Sequence, residues 1–250
     1  MPDRKRLSII VPYRDREEQL GTFLRHLLTY FARDKVDRFT PYRVTVVEQD
    51  DDRPFNKGKL CNVGFDLTRD IADYFCFHDV DYLPVWADYS YPDAPMRIIW
   101  YGADVVPYDE GASVEIKHDY DRYFGGVVLF TRADYLAVNG FSNQYEGWGF
   151  EDGDLRFRCA TAGLEVKYRD GTFQPLRHKN AGMDRSLKFN DTALANKQRL
   201  KNRREDGKFA EFMENDGIAQ LQYTVTSRIH PIKSQGKSVS HIEHVKVSFP

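Results

Sequence analysis

The sequence has few cysteines and no excess of charge of either sign. Its 250 residues include 36 Lys and Arg against 38 Asp and Glu, so the formal net charge is only −2. This balance argues against a dedicated nucleic-acid binder and against a protein held at membranes by a polybasic surface. The three cysteines, Cys61, Cys76 and Cys159, form no C-x-x-C pair, so neither a zinc ribbon nor a disulfide framework is indicated. We expect reduced thiols in a cytosol-like compartment.

Long hydrophobic runs are also absent. The first apolar stretch, residues 7–12, contains Ser8 and is too short for a signal peptide or for the roughly 20 residues of a membrane-spanning helix. No internal repeat or low-complexity linker interrupts the chain. We therefore expect a soluble cytoplasmic protein that is at most peripherally attached to a membrane.

Aromatic residues, in contrast, are abundant. They make up 14% of the chain, with 15 Tyr, 17 Phe and 3 Trp. A rich hydrophobic core is one explanation, and a site lined by aromatic rings for a sugar or a base is another. Composition alone leaves both open.

The first half of the chain alternates strand and helix patterns. Apolar runs predict strands at residues 7–11, 44–47 and 74–77, and helical spacing predicts helices over about 16–32 and 59–71. This β-α-β-α-β order predicts a parallel sheet with right-handed crossovers, in which ligands bind beyond the carboxyl ends of the strands. The informative residues are then those that follow each strand, at positions 12–16, 48–50 and 78–81.

The second half is more mixed. Its patterns predict a strand at 126–130, helices at 132–138 and 152–162, and closing strands at 222–227 and 239–249. Residues 179–208 carry nine Lys and Arg against four Asp and Glu, and we expect a mobile loop followed by a basic helix. Residues 71–95, in contrast, hold five Asp and no Lys or Arg. An acidic centre that collects a divalent cation and a basic arm that collects phosphate are one interpretation, and two ordinary solvated surfaces are the other.

Asp79 and Asp81 directly follow an apolar strand. Side chains two apart on an extended chain point to the same side, and two carboxylates there suit Mg²⁺ or Mn²⁺ on a nucleotide diphosphate. A charged turn is the alternative. A phosphoaspartate hydrolase with Asp79 as nucleophile is disfavoured, because that motif needs Thr or Val and then Gly soon after the second Asp, and residues 82–84 are Tyr-Leu-Pro.

A second group of candidate residues is Trp148-Gly149-Phe150-Glu151-Asp152. An indole beside carboxylates is typical of pyranose binding, and one of the acids could act as a general base. Acids at a helix start also occur only to match the helix dipole. Two further candidates are equally open: Tyr123 precedes a Gly-Gly pair that allows either a bulge or a close approach to a ligand, and His178 is either structural or a metal ligand.

Seven segments of the chain match known motifs in the same order. They are residues 11–20, 55–65, 77–84, 123–126, 139–143, 148–152 and 221–223. Together they resemble the β-1,4-galactosyltransferase family, including its xylose-directed member, over nearly the whole chain. The resemblance implies an α/β GT-A glycosyltransferase fold, a Rossmann-like mixed sheet flanked by helices, in a single domain over residues 1–250. Residues 1–100 would form the nucleotide-sugar half and residues 101–250 the acceptor half, with the mobile loop at about 179–208.

The resemblance also implies an activity and a set of site residues. The activity is inverting, Mn²⁺-dependent transfer of galactose from UDP-galactose to a sugar hydroxyl, forming a β-1,4 bond. By resemblance, the donor-binding residues are Pro12, Tyr13, Arg14, Arg16, Phe55, Lys57, Asp79, Tyr123 and Trp148. The acceptor site would use Trp148, Glu151 and Asp152, with Asp152 as the catalytic base, and the metal ligands would be Asp81 and His178. Tyr123 matches an aromatic residue that in relatives favours galactose over N-acetylgalactosamine.

The sequence departs from the family pattern at three places. Pro175 and Leu176 stand where relatives bring a second loop ligand to the metal, and neither side chain can ligate, so the third protein ligand is open. Gly153 stands where relatives carry an Asp that touches the acceptor, so we expect a different acceptor preference. No counterpart of the membrane anchor and stem of animal relatives is found, which favours a soluble enzyme acting on cytoplasmic glycan precursors.

Two other functions stay open. One is an N-acetylgalactosaminyl- or other hexosyltransferase on the same fold. The other is a non-catalytic sugar-binding module, which the missing loop ligand favours and the retained acids Asp79, Asp81, Glu151 and Asp152 disfavour. We expect a nucleotide-sugar donor and a glycan acceptor as partners and no nucleic acid, while the oligomeric state is left open.

Overall fold

A central β-sheet with helices on both sides dominates the computed structural model, which describes residues 4–33, 41–99, 124–176, 189–230, 232–234, 237–239 and 241–250. The strands are β1 (Leu7–Tyr13), β2 (Tyr42–Gln49), β3 (Tyr74–His78), β4 (Tyr82–Ala87), β5 (Met96–Arg97), β6 (Val127–Thr131), β7 (Lys167–Tyr168), β8 (Gly171–Pro175), β9 (Thr224–Ile229), β10 (Ile232–Ser234), β11 (Lys237–Val239) and β12 (Ile242–Ser248). The helices are α1 (Glu17–Arg33), α2 (Lys57–Thr68), α3 (Arg132–Ala137), α4 (Glu151–Thr161), α5 (Asp191–Glu205) and α6 (Phe209–Glu214), with a short 3-10 turn at Ile218–Gln220.

The sheet order is β7-β5-β6-β3-β1-β2-β12-β9. Strands β1, β2 and β3 are parallel, with Ile9 paired to Val44 on one side and to Cys76 on the other. Strand β12 is parallel to β2, whereas β6 is antiparallel to β3 and β9 is antiparallel to β12. The predicted β-α-β-α-β order and the mixed α/β sheet flanked by helices are therefore confirmed.

Alternate residues of β1 pack into two different cores. Ile9 and its alternating neighbours join Phe23 and Phe31 of α1 in one cluster, whereas Ile10 joins Leu60 and Phe65 of α2 in the other. A strand buried on both faces needs a continuous apolar run, which is the pattern that predicted β1. The centre of the sheet is thus covered on both faces, which leaves the ends of the central strands for a site.

The position of Lys57 follows from the way α2 begins. The Asn56 side chain accepts a hydrogen bond from the Lys59 backbone N–H at 2.9 Å, which caps the helix and places Lys57 in its first turn. About two turns further on, Gly64 lies so close to Ile10 that a β-carbon there would overlap the Ile10 side chain. Helix α2 is therefore packed tightly against β1, and its capped start carries Lys57.

Several predicted boundaries differ from the structure. Residues 12–13, 48–49 and 78 end their strands and do not follow them. Residues 82–84, for which no element was predicted, begin β4, which pairs with β8. The predicted helix at 59–71 runs from 57 to 68, and the predicted strand at 239–249 divides into β11 and β12.

The expected basic helix within residues 179–208 is α5. The expected mobile loop at the start of that segment lies outside the described residues. The division into a nucleotide-sugar half and an acceptor half stays a prediction. No helix in the described part of the chain combines the length and the apolar character needed to cross a membrane.

Candidate active site

The acidic pair lies at the carboxyl end of β3. The Asp79 backbone N–H donates to the Gly126 carbonyl at 2.9 Å, and the Tyr82 N–H bonds to the Asp79 carbonyl at 3.4 Å, so the chain turns directly after the strand. We expected the two carboxylates to share one side of an extended chain, but the turn prevents this. Each carboxylate is paired with a different cation. Arg16 Nη1 lies 2.9 Å from Asp81 Oδ2, whereas Asp79 faces Lys57.

Lys57 is the centre of the site. Its Nζ lies 3.0 Å from Asp79 Oδ1, 3.2 Å from Asp152 Oδ1 and 3.4 Å from Glu151 Oε1. The Lys57, Glu151 and Asp152 side chains are each less than 15% exposed. One ammonium group thus holds together three carboxylates from β3 and the start of α4.

The protonation of these acids follows from their surroundings. Burial raises the pKa of Asp79 and of Asp152 above the ordinary value, because the charged form loses its water. The neighbouring Lys57 opposes this shift, since its ammonium favours the ionised carboxylates. A buried carboxylate with a raised pKa, beside a cation, is suited to general base catalysis.

Asp152 is also fixed by local geometry. Phe150, just before α4, adopts the left-handed conformation with a φ of 74°, and Glu151 and Asp152 follow in the first helical turn. Acids there are stabilised by the helix dipole. The Asp152 carboxylate lies directly against Gly125, where a β-carbon would overlap it. The first glycine of the Gly-Gly pair thus makes room for the candidate base.

The candidate nucleotide residues gather around the end of β1. The Arg14 guanidinium lies 5.5 Å from the Phe55 ring centroid and donates to the Arg53 carbonyl at 2.6 Å. Pro12 is buried in β1, and the Tyr13 ring meets the His244 ring edge-on at 5.8 Å. A cation and two aromatic rings therefore lie around the end of β1, two residues from Arg16, which reaches Asp81.

Trp148 lies in a turn that α5 covers. Its ring centroid is 5.8 Å from that of Phe189, which also meets the Phe150 ring at 5.6 Å. The turn is joined to the nucleotide side as well, because the Gly147 N–H donates to the Phe55 carbonyl at 2.7 Å. Trp148 is thus placed between the candidate donor residues and Asp152.

Two predicted site residues, Tyr123 and His178, lie outside the described residues. Within the part of the chain that the structure describes, no group of three or more His, Cys, Asp or Glu side chains is arranged to hold a metal ion. The Leu176 N–H donates to the Asp81 carbonyl at 2.6 Å, so the chain just before His178 is bound to the backbone of Asp81. The carboxylate oxygens of Asp81 are the hard donors that Mn²⁺ accepts, so the residue types fit the expected ion.

Gly153 faces Leu200 on α5. A β-carbon at Gly153 would lie 3.0 Å from Leu200 Cδ2. The departure from the family pattern at this position therefore coincides with close packing of α5 on α4.

A buried charged network behind the site was not found from the sequence. Arg158 and Arg203 share Asp154 and Asp216, with N–O distances between 2.6 and 3.3 Å, and each of the four is at most 5% exposed. The i, i+4 spacing of Asp154 and Arg158 was a local signal for one of these pairs. The other pairs join segments far apart in the chain, which no local pattern reveals.

Comparison with known proteins identifies the family. A family model described as the N-terminal region of glycosyl transferase group 7 matches residues 2–92, and one described as the N-terminal domain of galactosyltransferase matches residues 108–179. Drosophila melanogaster β-1,4-galactosyltransferase 7 is 36% identical over 165 residues, which are 64% of this chain and 47% of the relative. Mouse β-1,4-galactosyltransferase 4 is 37% identical over 65% of this chain and 44% of its own length. The chain thus spans less than half the length of these two relatives.

Other relatives match over a longer part of the chain. Caenorhabditis elegans xylosylprotein 4-β-galactosyltransferase is 29% identical over 89% of this chain and 72% of its own length. The catalytic domain of Drosophila β-1,4-galactosyltransferase 7, solved with xylobiose, superposes with a TM-score of 0.74 at 28% identity, covering 98% of this chain and 94% of that one. A mutant of the same enzyme, solved with manganese, UDP-Gal and xylobiose, superposes with a TM-score of 0.74 at 27% identity. The expected galactosyltransferase fold is confirmed, and the chain belongs to the β-1,4-galactosyltransferase family.

Proposed function

We propose that the protein is an inverting glycosyltransferase that moves galactose from UDP-galactose to a sugar hydroxyl and forms a β-1,4 bond. The observation that carries the proposal is the meeting of Asp79, Glu151 and Asp152 at Lys57. This meeting joins a candidate nucleotide-sugar contact at the end of β3 to a candidate base and an acceptor-binding acid at the start of α4. A non-catalytic sugar-binding module would need no such junction.

The donor would lie along the end of β1. Phe55 offers a flat surface for the uracil, and Arg14 and Arg16 offer charge for the diphosphate. Tyr13, which is only 7% exposed, is kept as a predicted contact. Pro12 shapes the end of the strand, and we keep Tyr123 and Trp148 as predicted contacts to the galactose. The UDP-Gal in the Drosophila mutant structure supports this choice of donor.

The proposed metal is Mn²⁺, held by Asp81 and His178. Its bound charge would stabilise the diphosphate leaving group. The manganese in the Drosophila mutant structure supports the identity of the ion, and the hydrogen bond from Leu176 to Asp81 supports the neighbourhood of the two ligands.

Asp152 would act as the base. Its ionised carboxylate takes the proton of the acceptor hydroxyl while that oxygen bonds to the anomeric carbon, and UDP leaves from the opposite face. Lys57 keeps part of the Asp152 population ionised despite burial. Glu151 and Trp148 would hold the acceptor ring, by hydrogen bonds to its hydroxyls and by stacking on its face.

The acceptor class is a glycan hydroxyl. The xylobiose in two Drosophila structures and the xylosylprotein 4-β-galactosyltransferase of Caenorhabditis elegans support a xylose-bearing acceptor. Gly153, which replaces the Asp expected from the family pattern, supports an acceptor preference that differs from that of the relatives. A cytosol-like compartment remains our proposal, and the three free, buried cysteines support it.

The test is transfer by the wild type and by Asp152→Asn across a matrix of donors and acceptors. UDP-galactose and UDP-N-acetylgalactosamine are combined with xylosides and N-acetylglucosaminides, in the presence of Mn²⁺. We expect transfer of galactose by the wild type, loss of at least about 10²-fold in Asp152→Asn, and nearly unchanged UDP binding. Asp70→Asn, which changes an exposed acid after α2, is the matched control. If the wild type transferred a sugar from neither donor, the binding module would be favoured. Near-normal transfer by Asp152→Asn would show that Asp152 is not the base.

A further inference from the structure

One face of α5 covers the turn that carries Trp148. The residues of this face are spaced four, four and three apart, as one side of a helix requires: they are Thr192, Asn196, Leu200 and Arg203. Thr192 lies so close to Gly147 that a β-carbon on Gly147 would be 2.7 Å from Thr192 Cγ2, and Leu200 contacts Gly153. The helix therefore runs along the chain from the turn into α4.

Asn196 makes the polar contacts of this face. It is only 2% exposed. Its Nδ2 donates to the Glu146 carbonyl at 2.9 Å and to the Gly149 carbonyl at 3.2 Å, with the Trp148 carbonyl at 3.5 Å. Asn196 thus binds the backbone carbonyl of Trp148 and the carbonyls of a residue before it and a residue after it.

The orientation of the Asn196 amide is fixed by a second partner. Arg199 Nη1 lies 3.0 Å from Asn196 Oδ1. A guanidinium only donates and carbonyls only accept, so the amide oxygen must face Arg199 and the amide nitrogen must face the turn. An aspartate at this position could keep the contact with Arg199 but would lose the hydrogen bonds to the carbonyls of the turn.

The turn itself needs an external support. Gly147, Gly149 and Phe150 all have positive φ values, of 69°, 96° and 74°. The conformation is unfavourable for a side chain such as that of Phe150, so it persists only where the surroundings impose it. An open groove of about 570 Å³ lies between α5 and residues 143–146, so the turn is supported on this side by the close contact of Thr192 with Gly147 and by the hydrogen bonds of Asn196.

The position of α5 does not depend on this turn. Arg203 binds Asp154 at 2.9 Å and Asp216 at 3.0 Å, and this buried pairing fixes the far end of the helix. Asn196 thus projects from a fixed element onto a turn that carries Trp148 and leads directly into Asp152.

We propose that Asn196 is a positioning residue for the acceptor site. It holds Trp148, and through Phe150 the start of α4, in the arrangement that binds the acceptor sugar. The proposal rests on the proposed function. The candidate nucleotide residues at the end of β1 make no hydrogen bond with Asn196 among the described contacts, so we expect the effect on the sugar side of the site and not on UDP binding.

The experiment compares two variants on α5. Asn196→Asp keeps the shape of the side chain but loses the amide group that donates hydrogen bonds to the turn, and Gln198→Ala changes an exposed residue of the same helix. We expect kcat/KM for the acceptor to fall about 10- to 100-fold in Asn196→Asp, as small misplacements in active sites do. The affinity for UDP with Mn²⁺ should stay within about twofold. Gln198→Ala should match the wild type in every measurement.

A second variant and a spectroscopic signal keep the test decisive. Gly147→Ala disturbs the same contact from the turn side, and its effect should not add to that of Asn196→Asp in the double variant. The indole N–H resonance of Trp148, assigned with Trp148→Phe, should shift or broaden in Asn196→Asp even if the wild type transfers to no tested acceptor. An unchanged indole resonance, unchanged acceptor kinetics, or a fall in UDP affinity equal to the fall in acceptor kcat/KM would each overturn the proposal.

Discussion

Arg16 and Asp81 form an ion pair, with 2.9 Å between Nη1 and Oδ2, at the point where the metal is proposed to bind. The Asp81 carboxylate therefore has a cation of its own chain before any ligand arrives. Arg16 is at the same time a proposed contact of the diphosphate. When Mn²⁺ and UDP bind together, Asp81 can exchange Arg16 for the metal, and Arg16 can bind the diphosphate. Binding of Mn²⁺ and of UDP should therefore be cooperative.

Replacing Arg16 should therefore change metal and nucleotide affinity in opposite directions. In Arg16→Ala, Mn²⁺ no longer competes with a guanidinium for Asp81, and a repelling charge is gone. We expect Mn²⁺ to bind several-fold more tightly without nucleotide, and UDP to bind about 10-fold or more weakly with Mn²⁺ present, as for the loss of a charge-assisted hydrogen bond of about 1.5–3 kcal/mol. Titration calorimetry of each ligand measures both.

Arg14 provides the matched control for this prediction. Its guanidinium lies over Phe55 and bonds to the Arg53 carbonyl, so it does not compete at Asp81 in the described contacts. Arg14→Ala should weaken UDP binding and leave Mn²⁺ binding without nucleotide unchanged. Weaker Mn²⁺ binding in Arg16→Ala would contradict the competition.

Gly125→Ala should displace the candidate base. The added methyl group would overlap the Asp152 carboxylate, which has to move away from its present position. We expect transfer to fall about 10²-fold while UDP and Mn²⁺ affinities stay close to the wild type. Gly21→Ala, in the interior of α1 beside only the flexible end of Arg25, is the control and should be neutral or slightly stabilising. Full activity of Gly125→Ala would show that Asp152 acts elsewhere or not at all.

The pH profile should report the pair of Lys57 and Asp152. Burial raises the pKa of Asp152 and Lys57 lowers it, and only the ionised carboxylate can accept a proton. We therefore expect the acidic limb of kcat to lie at higher pH than for an ordinary aspartate. In Lys57→Met the opposing cation is gone, so the limb should move to still higher pH in addition to the loss of rate. A limb that stays in place or moves to lower pH in this variant would argue against Asp152 as the titrating base.

How far the sequence predicts this molecule depends on the range of the interactions. Helix α1 and strand β1 were predictable, because apolar residues at regular spacing face the core that they pack against. Strand β4 was not, because its partner β8 is distant in the chain and its sequence contains Pro84. Pairing over such a distance leaves no local pattern.

The same distinction applies to the site. The sequence motifs name Lys57, Asp79 and Asp152 one by one, but the residues are separated by 22 and 95 positions from Lys57, so only the fold reveals that they meet. Asn196 was hidden for another reason. It lies in a helix that the sequence describes as basic, and its importance comes from carbonyl groups, which every residue has.

The buried network should dominate the stability of this region. Asp216→Ala leaves Arg158 and Arg203 buried with only Asp154 as a shared carboxylate, and we expect the free energy of unfolding to fall by about 3–5 kcal/mol. Lys201→Ala removes an exposed ion pair to Glu205 on α5, and the expected change is below about 0.5 kcal/mol. Urea denaturation of both variants tests the contrast. Equal effects would mean that the network is not a structural centre.

His78 should make stability depend on pH in a defined window. It is fully buried at the end of β3, with Nδ1 2.9 Å from the Asp79 carbonyl and Nε2 2.9 Å from the Tyr89 hydroxyl. The neutral ring satisfies both partners, by donating to the carbonyl and accepting from the hydroxyl. Burial lowers its pKa to about 4.

The sign follows from the protons bound in each state. Between about pH 6.5 and 4 the unfolded chain binds a proton at His78 and the folded chain does not, so the free energy of unfolding falls as the pH falls. The full loss from this one group approaches about 3 kcal/mol. Denaturant titrations between pH 4.5 and 7.5 should therefore give a steeper pH dependence for the wild type than for His78→Gln, which keeps a polar group but cannot be protonated in this range. Parallel profiles for the two proteins would mean that His78 is not held neutral by the fold.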